Sequence, residues 1–238
     1  MMLRMLKKKL CLLLLLSISL GCQKHIDNYP DVQVTGAMRE VMWNGALEGK
    51  IKLDTLSNDH FYGIGPLSYL KGEILLNDGK AYVGSVRSDT TMLVKVDAEA
   101  SAPFFVYAQV NEWAKSSLPQ SVTDQKSLES FLDKLTIDKK RPFAFKLVGA
   151  IESATVHLQN LPDGTKVSSP QEAHQGQIDY ELEDKEVEIL GFFSTEHKGV
   201  FTHHDSFIHL HLITADKKMM GHVDQIELGT MQLLLPKK

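Results

Sequence analysis

The feature that most constrains this chain is a predicted β-hairpin near its carboxyl end. Phe207–Thr214 is a run of β-forming residues, Ala215–Lys218 is a good four-residue turn, and Val223–Leu228 follows as a second strand. Residues two apart in a strand point to the same face, so His209 and His211 project side by side. The apolar residues between and around these histidines indicate that the strand is buried.

A third histidine joins this pair across the hairpin. A turn centred between Asp216 and Lys217 places His222 directly opposite His211, with the two Cβ atoms roughly 5 Å apart. Neutral imidazoles in a core need partners for their ring nitrogens, and a divalent transition metal supplies one for each. Catalytic zinc typically has three protein ligands and one open position. We therefore predict that His209, His211 and His222 bind zinc or another divalent transition metal.

This prediction depends on the register across the hairpin, because two histidines in one strand are by themselves weak evidence for a metal site. A single strand histidine is usually a satisfied core or surface residue. By the same reasoning His197, His203 and His204 are predicted to be loop or surface residues with a structural role.

The rest of the sequence predicts a predominantly β protein of the α+β class. Asn77-Asp78-Gly79 between two apolar runs is a hairpin signal. Two helices are predicted, Met38–Trp43 and Ser127–Leu135, the second with Ser127 as its cap. We expect a mixed β-sheet half with these helices (about residues 35–140), packed on an antiparallel β half (about residues 141–238), with the metal site at their junction. The other expected strands are Leu47–Leu53, Glu73–Leu76, Ala81–Val86, Met92–Val96, Phe104–Val110, Phe143–Gln159 and Val187–Phe193, and Leu161–Glu172 is expected to be a loop.

Residues 1–21 predict an export signal outside the fold. Arg4 and Lys7–Lys9 precede the apolar stretch Leu10–Leu20, which is too short to cross a bilayer. A small residue then precedes Cys22, which resembles a bacterial lipoprotein signal. We predict cleavage before Cys22 and a lipid on its thiol; an ordinary secretory signal is the alternative.

The polar residues 22–34 would then be a tether, and the protein would be anchored by lipid in the bacterial cell envelope, on its periplasmic or outer surface. The chain has 26 basic and 30 acidic residues, and cleavage would remove four of the basic ones. A net-acidic chain without a basic run argues against a nucleic-acid partner. Of the two cysteines only Cys22 would remain, which excludes a disulfide framework, a cysteine metal site and a cysteine nucleophile.

Several separate segments resemble the α-acetolactate decarboxylase family. The histidine hairpin matches its zinc-binding segment in residue type and spacing. A second block, rich in glycine and containing a Gly-Glu pair, matches its amino-terminal part, and a third matches the strand before its catalytic arginine. These segments are Phe207–Leu212 with Asp216 and Gly221–Val223, then Gly63–Leu67 with Leu70–Ile74, Asp78, Gly79 and Tyr82, and finally Phe143–Gly149.

The resemblance implies a homodimeric enzyme that converts 2-acetolactate, a small 2-hydroxy-3-oxo acid, to acetoin and CO2. His209, His211 and His222 would hold the zinc, which would chelate the hydroxyl and carbonyl oxygens of the substrate and stabilise the enediolate as a Lewis acid. Glu73 would be the active-site carboxylate that relays a proton or holds water. Without the resemblance, Glu73 would be interpreted as a solvated charge at a strand edge.

The sequence departs from the family at three places. His157 stands where the family has its arginine, and a histidine cannot hold a carboxylate in two parallel hydrogen bonds. His157 could still donate one hydrogen bond or a proton, could equally be a plain strand residue, and Lys146 is a candidate substitute cation. Pro66 stands where the family has a threonine that lines the site. A carboxyl-terminal tail with a second acidic residue is expected to be missing.

These departures leave two further functions open. The first is a lipoprotein that binds a metal or a ligand on the same fold without turnover. The second is another metal lyase, hydrolase or isomerase with a changed pocket, in which His157 and the run Thr202–Asp205 supply groups around the metal.

Overall fold

The computed structural model describes residues 29–237. The predicted signal, the predicted lipidation site Cys22 and most of the predicted tether lie outside these residues. In chain order the described part contains β1 (Val32–Thr35), α1 (Met38–Asn44), β2 (Ile51–Lys52), β3 (Phe61–Pro66), β4 (Glu73–Asn77), β5 (Lys80–Val86), β6 (Met92–Val96), β7 (Ser101–Ala102), β8 (Phe105–Gln109), β9 (Trp113–Ser117), α2 (Gln125–Leu135), β10 (Phe143–Leu158), α3 (Pro170–Ala173), β11 (Ile178–Phe193), β12 (Ile208–Thr214) and β13 (Met220–Pro236). Two short 3-10 helices occupy Leu53–Leu56 and Ser68–Leu70.

Two large antiparallel sheets make up most of the described residues. The first has six strands in the order β1-β8-β3-β4-β5-β6, and the second has five in the order β10-β11-β12-β13-β9. In the second sheet β13 also pairs with β10, so the four strands β10 to β13 close into a ring. The short strands β2 and β7 pair with each other. The predicted class, predominantly β with a few helices, is confirmed.

The two halves differ from the prediction in strand direction and in their boundaries. Every strand pair of the first sheet is antiparallel, so this half is not mixed. The second half begins near residue 113, well before residue 141, because β9 pairs with β13 and α2 packs beside the same strand. The predicted tether is also too long at its carboxyl end: Tyr29 packs on Phe143, and Val32–Thr35 pairs with β8.

Local sequence accounts for the turns and caps. Asp78 and Gly79 form a two-residue turn between β4 and β5, both with positive φ, which matches the predicted hairpin. The helix α2 begins two residues earlier than predicted, because Asp124 is its N-cap and accepts from the backbone N–H of Ser127. Ser127 instead completes a capping box by accepting from the backbone N–H of Asp124.

The sheets are joined by a shared apolar layer. Tyr62, Ile64 and Leu75 of the first sheet pack in one buried cluster with Phe192 and Met220 of the second. A separate, larger cluster fills the second half and includes the face of α2 that carries Leu128 and Leu132. The described part thus has an apolar layer at the junction of the two halves and a separate, larger core inside the second half. In the described part, none of the helices is both long enough and apolar enough to cross a membrane.

Candidate metal centre

The three predicted ligands lie on the hairpin β12–β13, where it faces the first sheet. His211 is paired with His222 across the hairpin, which is the predicted register. His209 lies two residues before His211 on the same strand. All three side chains are buried, and Leu210 and Leu212 on the opposite face of β12 fill the core of the second half.

Their ring nitrogens converge on one point. His209 Nε2 and His222 Nδ1 are 3.1 Å apart, and one nitrogen of each of the three rings lies within 4.8 Å of the others. Two nitrogens bound to one tetrahedral zinc ion at its usual bond length are about 3.3 Å apart. The spacing of the three rings therefore fits a single divalent ion.

A backbone carbonyl fixes the orientation of His211. The carbonyl oxygen of Ile74, on β4 of the first sheet, lies 2.9 Å from Nδ1 of His211. A carbonyl can only accept, so Nδ1 carries the hydrogen and Nε2 presents its lone pair. That Nε2 is buried and has no hydrogen-bond partner among the described residues. An unpartnered buried acceptor aimed at two other imidazoles is what a metal ion would satisfy.

The electrostatics keep these imidazoles neutral, as metal ligands must be. Burial, with a smaller contribution from the nearby His157, lowers the pKa of His211 to about 3. Burial also holds the pKa of His209 and of His222 well below the usual value, and the neighbouring imidazoles add to this.

Glu73 lies beside the three histidines. It is the first residue of β4, only 3% exposed, and its Oε2 is 3.6 Å from His211 Nε2. Burial raises its pKa well above the usual value, the charge of Asp224 raises it further, and the backbone N–H of Gln159 opposes both. Gly72 allows this placement, because its φ of 149° and its approach to the Gly84 carbonyl leave no room for a side chain.

His157 lies next to His222 on the neighbouring strand of the ring. The two residues are paired between β10 and β13, and their ring centroids are 4.7 Å apart. His157 Nδ1 is 2.7 Å from Oδ2 of Asp224, and its Nε2 is 3.3 Å from the amide nitrogen of Gln159. His157 is 6% exposed, so it is a buried residue at the edge of the candidate site.

Two cavities lie next to the histidines and share lining residues. The inner one, of about 30 Å³, is lined by Glu73, by imidazoles and by apolar side chains; its lining includes Met38, Met42, Pro66, Leu70, Phe104, Gln159, His209 and His222. The outer one, of about 430 Å³, is lined by Gln177, Asp179 and Asp224. His157, His174 and His203 line both cavities.

The remaining predicted residues differ in whether they line the cavities beside the three histidines. Pro66 lines the inner cavity, whereas Lys146 does not, because it pairs with Glu188 elsewhere in the protein. His197 binds Ser194 and stacks on Phe201, and His204 is exposed in a loop, as predicted. His203 is in a loop too, as predicted, and it lines both cavities.

Sequence reasoning missed Asp224, His174 and Gln159. Asp224 is two residues beyond His222 on a strand, so period-two alternation could have placed both on one face. His174 follows the one-turn helix α3, two residues beyond the segment Leu161–Glu172 that is predicted as a loop. Nothing local in the sequence points it toward the histidines.

Comparisons with known proteins agree on one family. The family model described as alpha-acetolactate decarboxylase matches residues 35–236. The alpha-acetolactate decarboxylase of Lactococcus lactis subsp. lactis is 28% identical over 193 residues, covering 79% of this chain and 78% of that protein. The Brevibacillus brevis protein of the same name is 26% identical over 79% of this chain, which spans only 64% of the length of that relative.

Solved structures show the same fold. The acetolactate decarboxylase from Bacillus subtilis subspecies spizizenii has a TM-score of 0.72 with 20% sequence identity, covering 87% of this chain and 86% of that chain. A Staphylococcus aureus protein of unknown function, described as similar to alpha-acetolactate decarboxylase, has a TM-score of 0.71 with 19% identity, covering 87% of this chain and 85% of that chain.

Proposed function

Because the chain belongs to the alpha-acetolactate decarboxylase family, we propose that it is a metal-dependent carboxy-lyase that converts 2-acetolactate to acetoin and CO2. The observation that carries the proposal is the cluster of three buried imidazoles beside a buried carboxyl group, at the inner end of a cavity. The Lactococcus lactis and Brevibacillus brevis relatives bear the name of this activity.

His209, His211 and His222 would hold the metal, and we propose zinc. The unpartnered Nε2 of His211 and the 3.1 Å approach of His209 to His222 support this assignment. A divalent ion bound there would act as a Lewis acid on the substrate's oxygens while the bond to the carboxylate carbon breaks. The Ile74 carbonyl holds the His211 ring so that its free nitrogen stays aimed at the site.

Glu73 is proposed to hold and deliver the proton that replaces CO2 on carbon. Its Oε2 is beside His211 and inside the inner cavity, so the carboxyl group can reach a small substrate without an intervening water chain. The apolar wall formed by Met38, Met42 and Phe104 excludes water from this side of the cavity. Exclusion of water strengthens each polar contact made inside.

His157 is proposed to face the substrate where the family resemblance places an arginine. Asp224 accepts from its Nδ1–H and the Gln159 amide donates to its Nε2, so His157 can bind a substrate carboxylate only if the Gln159 contact is released and Nε2 carries a proton. One imidazole can make one hydrogen bond to a carboxylate, where an arginine makes two. We expect weaker binding of the substrate carboxylate than an arginine would give.

The test is acetoin formation from racemic 2-acetolactate by the full-length chain, purified in detergent and loaded with zinc. Acetoin is expected from the wild type, with activity abolished in His209→Ala and lowered at least about a hundredfold in Glu73→Gln. His204→Ala is the matched control, because His204 is an exposed histidine of a nearby loop. Protein that retains its metal and releases no acetoin would refute the proposal.

A second candidate function is binding of a metal or ligand without turnover. It is favoured by the lining of the two cavities, which includes Asp179 and Asp224 but no lysine or arginine among the described residues. Stoichiometric metal binding together with inactivity on a panel of 2-hydroxy-3-oxo acids would select it. A product other than acetoin would select a related metal lyase or isomerase.

We further propose that Cys22 carries a lipid that anchors the protein in the cell envelope. The basic residues, apolar stretch and small residue before Cys22 support this. Labelling with a radioactive fatty acid should mark the wild-type chain and not Cys22→Ser. An equally labelled variant would refute the assignment. The expected homodimer stays a prediction, and sedimentation of the purified protein would check it.

A further inference from the structure

The outer cavity is lined almost entirely by groups that bind metal ions. Three imidazoles and two carboxylates face it, together with the amide of Gln177, and no lysine or arginine of the described chain does. Imidazole and carboxylate are ligands of divalent transition metals. The cavity shares His157, His174 and His203 with the lining of the inner one and adds the carboxylates of Asp179 and Asp224.

Two of these groups are already in the relative position that a shared ion requires. His157 Nδ1 lies 2.7 Å from Asp224 Oδ2. Two ligand atoms on one ion are about 3.3 Å apart, so the pair needs to widen by about half an ångström. Asp224 can make this adjustment, because its side chain is 34% exposed, while His157 is held in the closed ring of strands.

We propose that His157 and Asp224 hold a second divalent metal ion at the outer cavity, next to the three-histidine site. His222 borders both sites: a nitrogen of its ring lies within 4.8 Å of the ligand atoms of His157 and Asp224 as well as of His209 and His211. His174 and His203 face the same opening and are the groups available to complete the outer ion's ligands.

The second ion would supply a positive charge that this chain lacks at position 157. Where the family resemblance places an arginine, the structure has His157 hydrogen-bonded to a carboxylate, an arrangement without a fixed positive charge. A divalent ion between the two would restore a fixed positive charge at the entrance to the inner site. This role rests on the proposed decarboxylase function, whereas the ion site itself does not.

The decisive measurement is the amount of zinc bound per chain, which does not depend on activity. The full-length protein is stripped with a chelator, dialysed against zinc in excess, separated from free metal by gel filtration and analysed by mass spectrometry of the metal. We expect two equivalents in the wild type, one in His209→Ala and one in Asp224→Asn. The asparagine can still accept from His157 Nδ1 but is a poor ligand for zinc, so the variant removes the ligand and keeps the hydrogen bond.

Glu181→Gln is the matched control, because Glu181 is an exposed carboxylate on β11 that binds Thr155 and does not line the outer cavity. It should retain two equivalents. If the wild type and Asp224→Asn each bind one equivalent of zinc, the proposal is overturned, and the contact between His157 and Asp224 is an ordinary hydrogen bond. Two equivalents retained by Asp224→Asn would also overturn it, since the second ion would lie elsewhere.

A cobalt titration of the wild type keeps the proposal testable if a variant fails to fold. The visible absorption of bound cobalt should rise in two phases, with breaks at the first and the second equivalent; a single break at one equivalent would refute the outer site. Two equivalents without acetoin formation would refute the decarboxylase and leave the outer site standing. Acetoin formation by protein that binds only one equivalent of metal would support the decarboxylase and refute the outer site.

Discussion

Glu188 is expected to make the protein acid-sensitive, because it braces the two sheets near the metal centre. Its Oε1 is 2.6 Å from Lys217 Nζ, at the turn between β12 and β13, and its Oε2 is 3.1 Å from Lys146 Nζ on β10. Asn77, at the end of β4, donates to the same carboxylate at 3.0 Å. The carboxylate thus connects the first sheet to the hairpin that carries the three histidines.

The magnitude follows from the pKa of Glu188. Burial alone would raise it, but the contacts with Lys217, Lys146 and Asn77 outweigh burial and lower the pKa from 4.5 to about 2. As pH falls through 4.5, the unfolded chain takes up a proton at this position before the folded protein does. The stabilisation is therefore complete above pH 4.5 and is lost as pH falls to about 2. It amounts to about 3 kcal/mol at most, since each unit of pKa is worth about 1.4 kcal/mol.

The assay is urea unfolding of the wild type and Glu188→Gln between pH 7 and pH 2. At pH 7 the variant should be less stable, and the difference in the free energy of unfolding should shrink steadily below pH 4.5. Glu186→Gln is the matched control, because Glu186 is exposed on the same strand and should cost little at any pH. A difference between wild type and Glu188→Gln that stays constant from pH 5 to pH 2 would refute the reasoning.

Three other outcomes are expected from the contacts described. Zinc at a hundred times its dissociation constant should raise the free energy of unfolding, measured in a thermal melt, by about 3 kcal/mol for the wild type and for His204→Ala, and by less for His209→Ala. Equal stabilisation of the two variants would contradict the assigned ligands. Gly221→Ala should cost about 1–3 kcal/mol in urea unfolding, because its Cβ would lie 2.6 Å from the His157 carbonyl oxygen, and an unchanged midpoint would exclude that close contact. Asp124→Ala should cost about 1 kcal/mol through loss of the α2 cap, while Asp124→Ser should restore most of it; no recovery would argue against capping as the cause.

The cluster of three histidines could be predicted because the relation between its members is local. His209 and His211 share a face through the period of a strand, and His222 is placed by a short turn. The same reasoning located the Asp78-Gly79 hairpin. In each case the relevant residues lie within one hairpin, so the turn fixes the register without reference to the rest of the fold.

The surroundings of the ligands could not be predicted in the same way. His157 meets His222 only because β10 pairs with β13 over many residues, with register shifts near Gly149, Ile151 and Thr155. Each register shift changes which residue of the neighbouring strand lies opposite every later side chain. No local sequence pattern indicates the number of such shifts. His174 depends in addition on the path of a loop.

The closed ring of strands explains why a histidine at position 157 changes the site without disturbing the ligands. His157, His222 and His211 are paired in one row across β10, β13 and β12. A shift of one residue in β10 would turn His157 away from this face and bring Val156 or Leu158 to it. Because the imidazole is short, it ends beside His222, within reach of Asp224. His211 keeps its own contacts with β4, through the Ile74 carbonyl and Glu73, so we expect a change at position 157 to alter the rim of the site and to leave this residue in place.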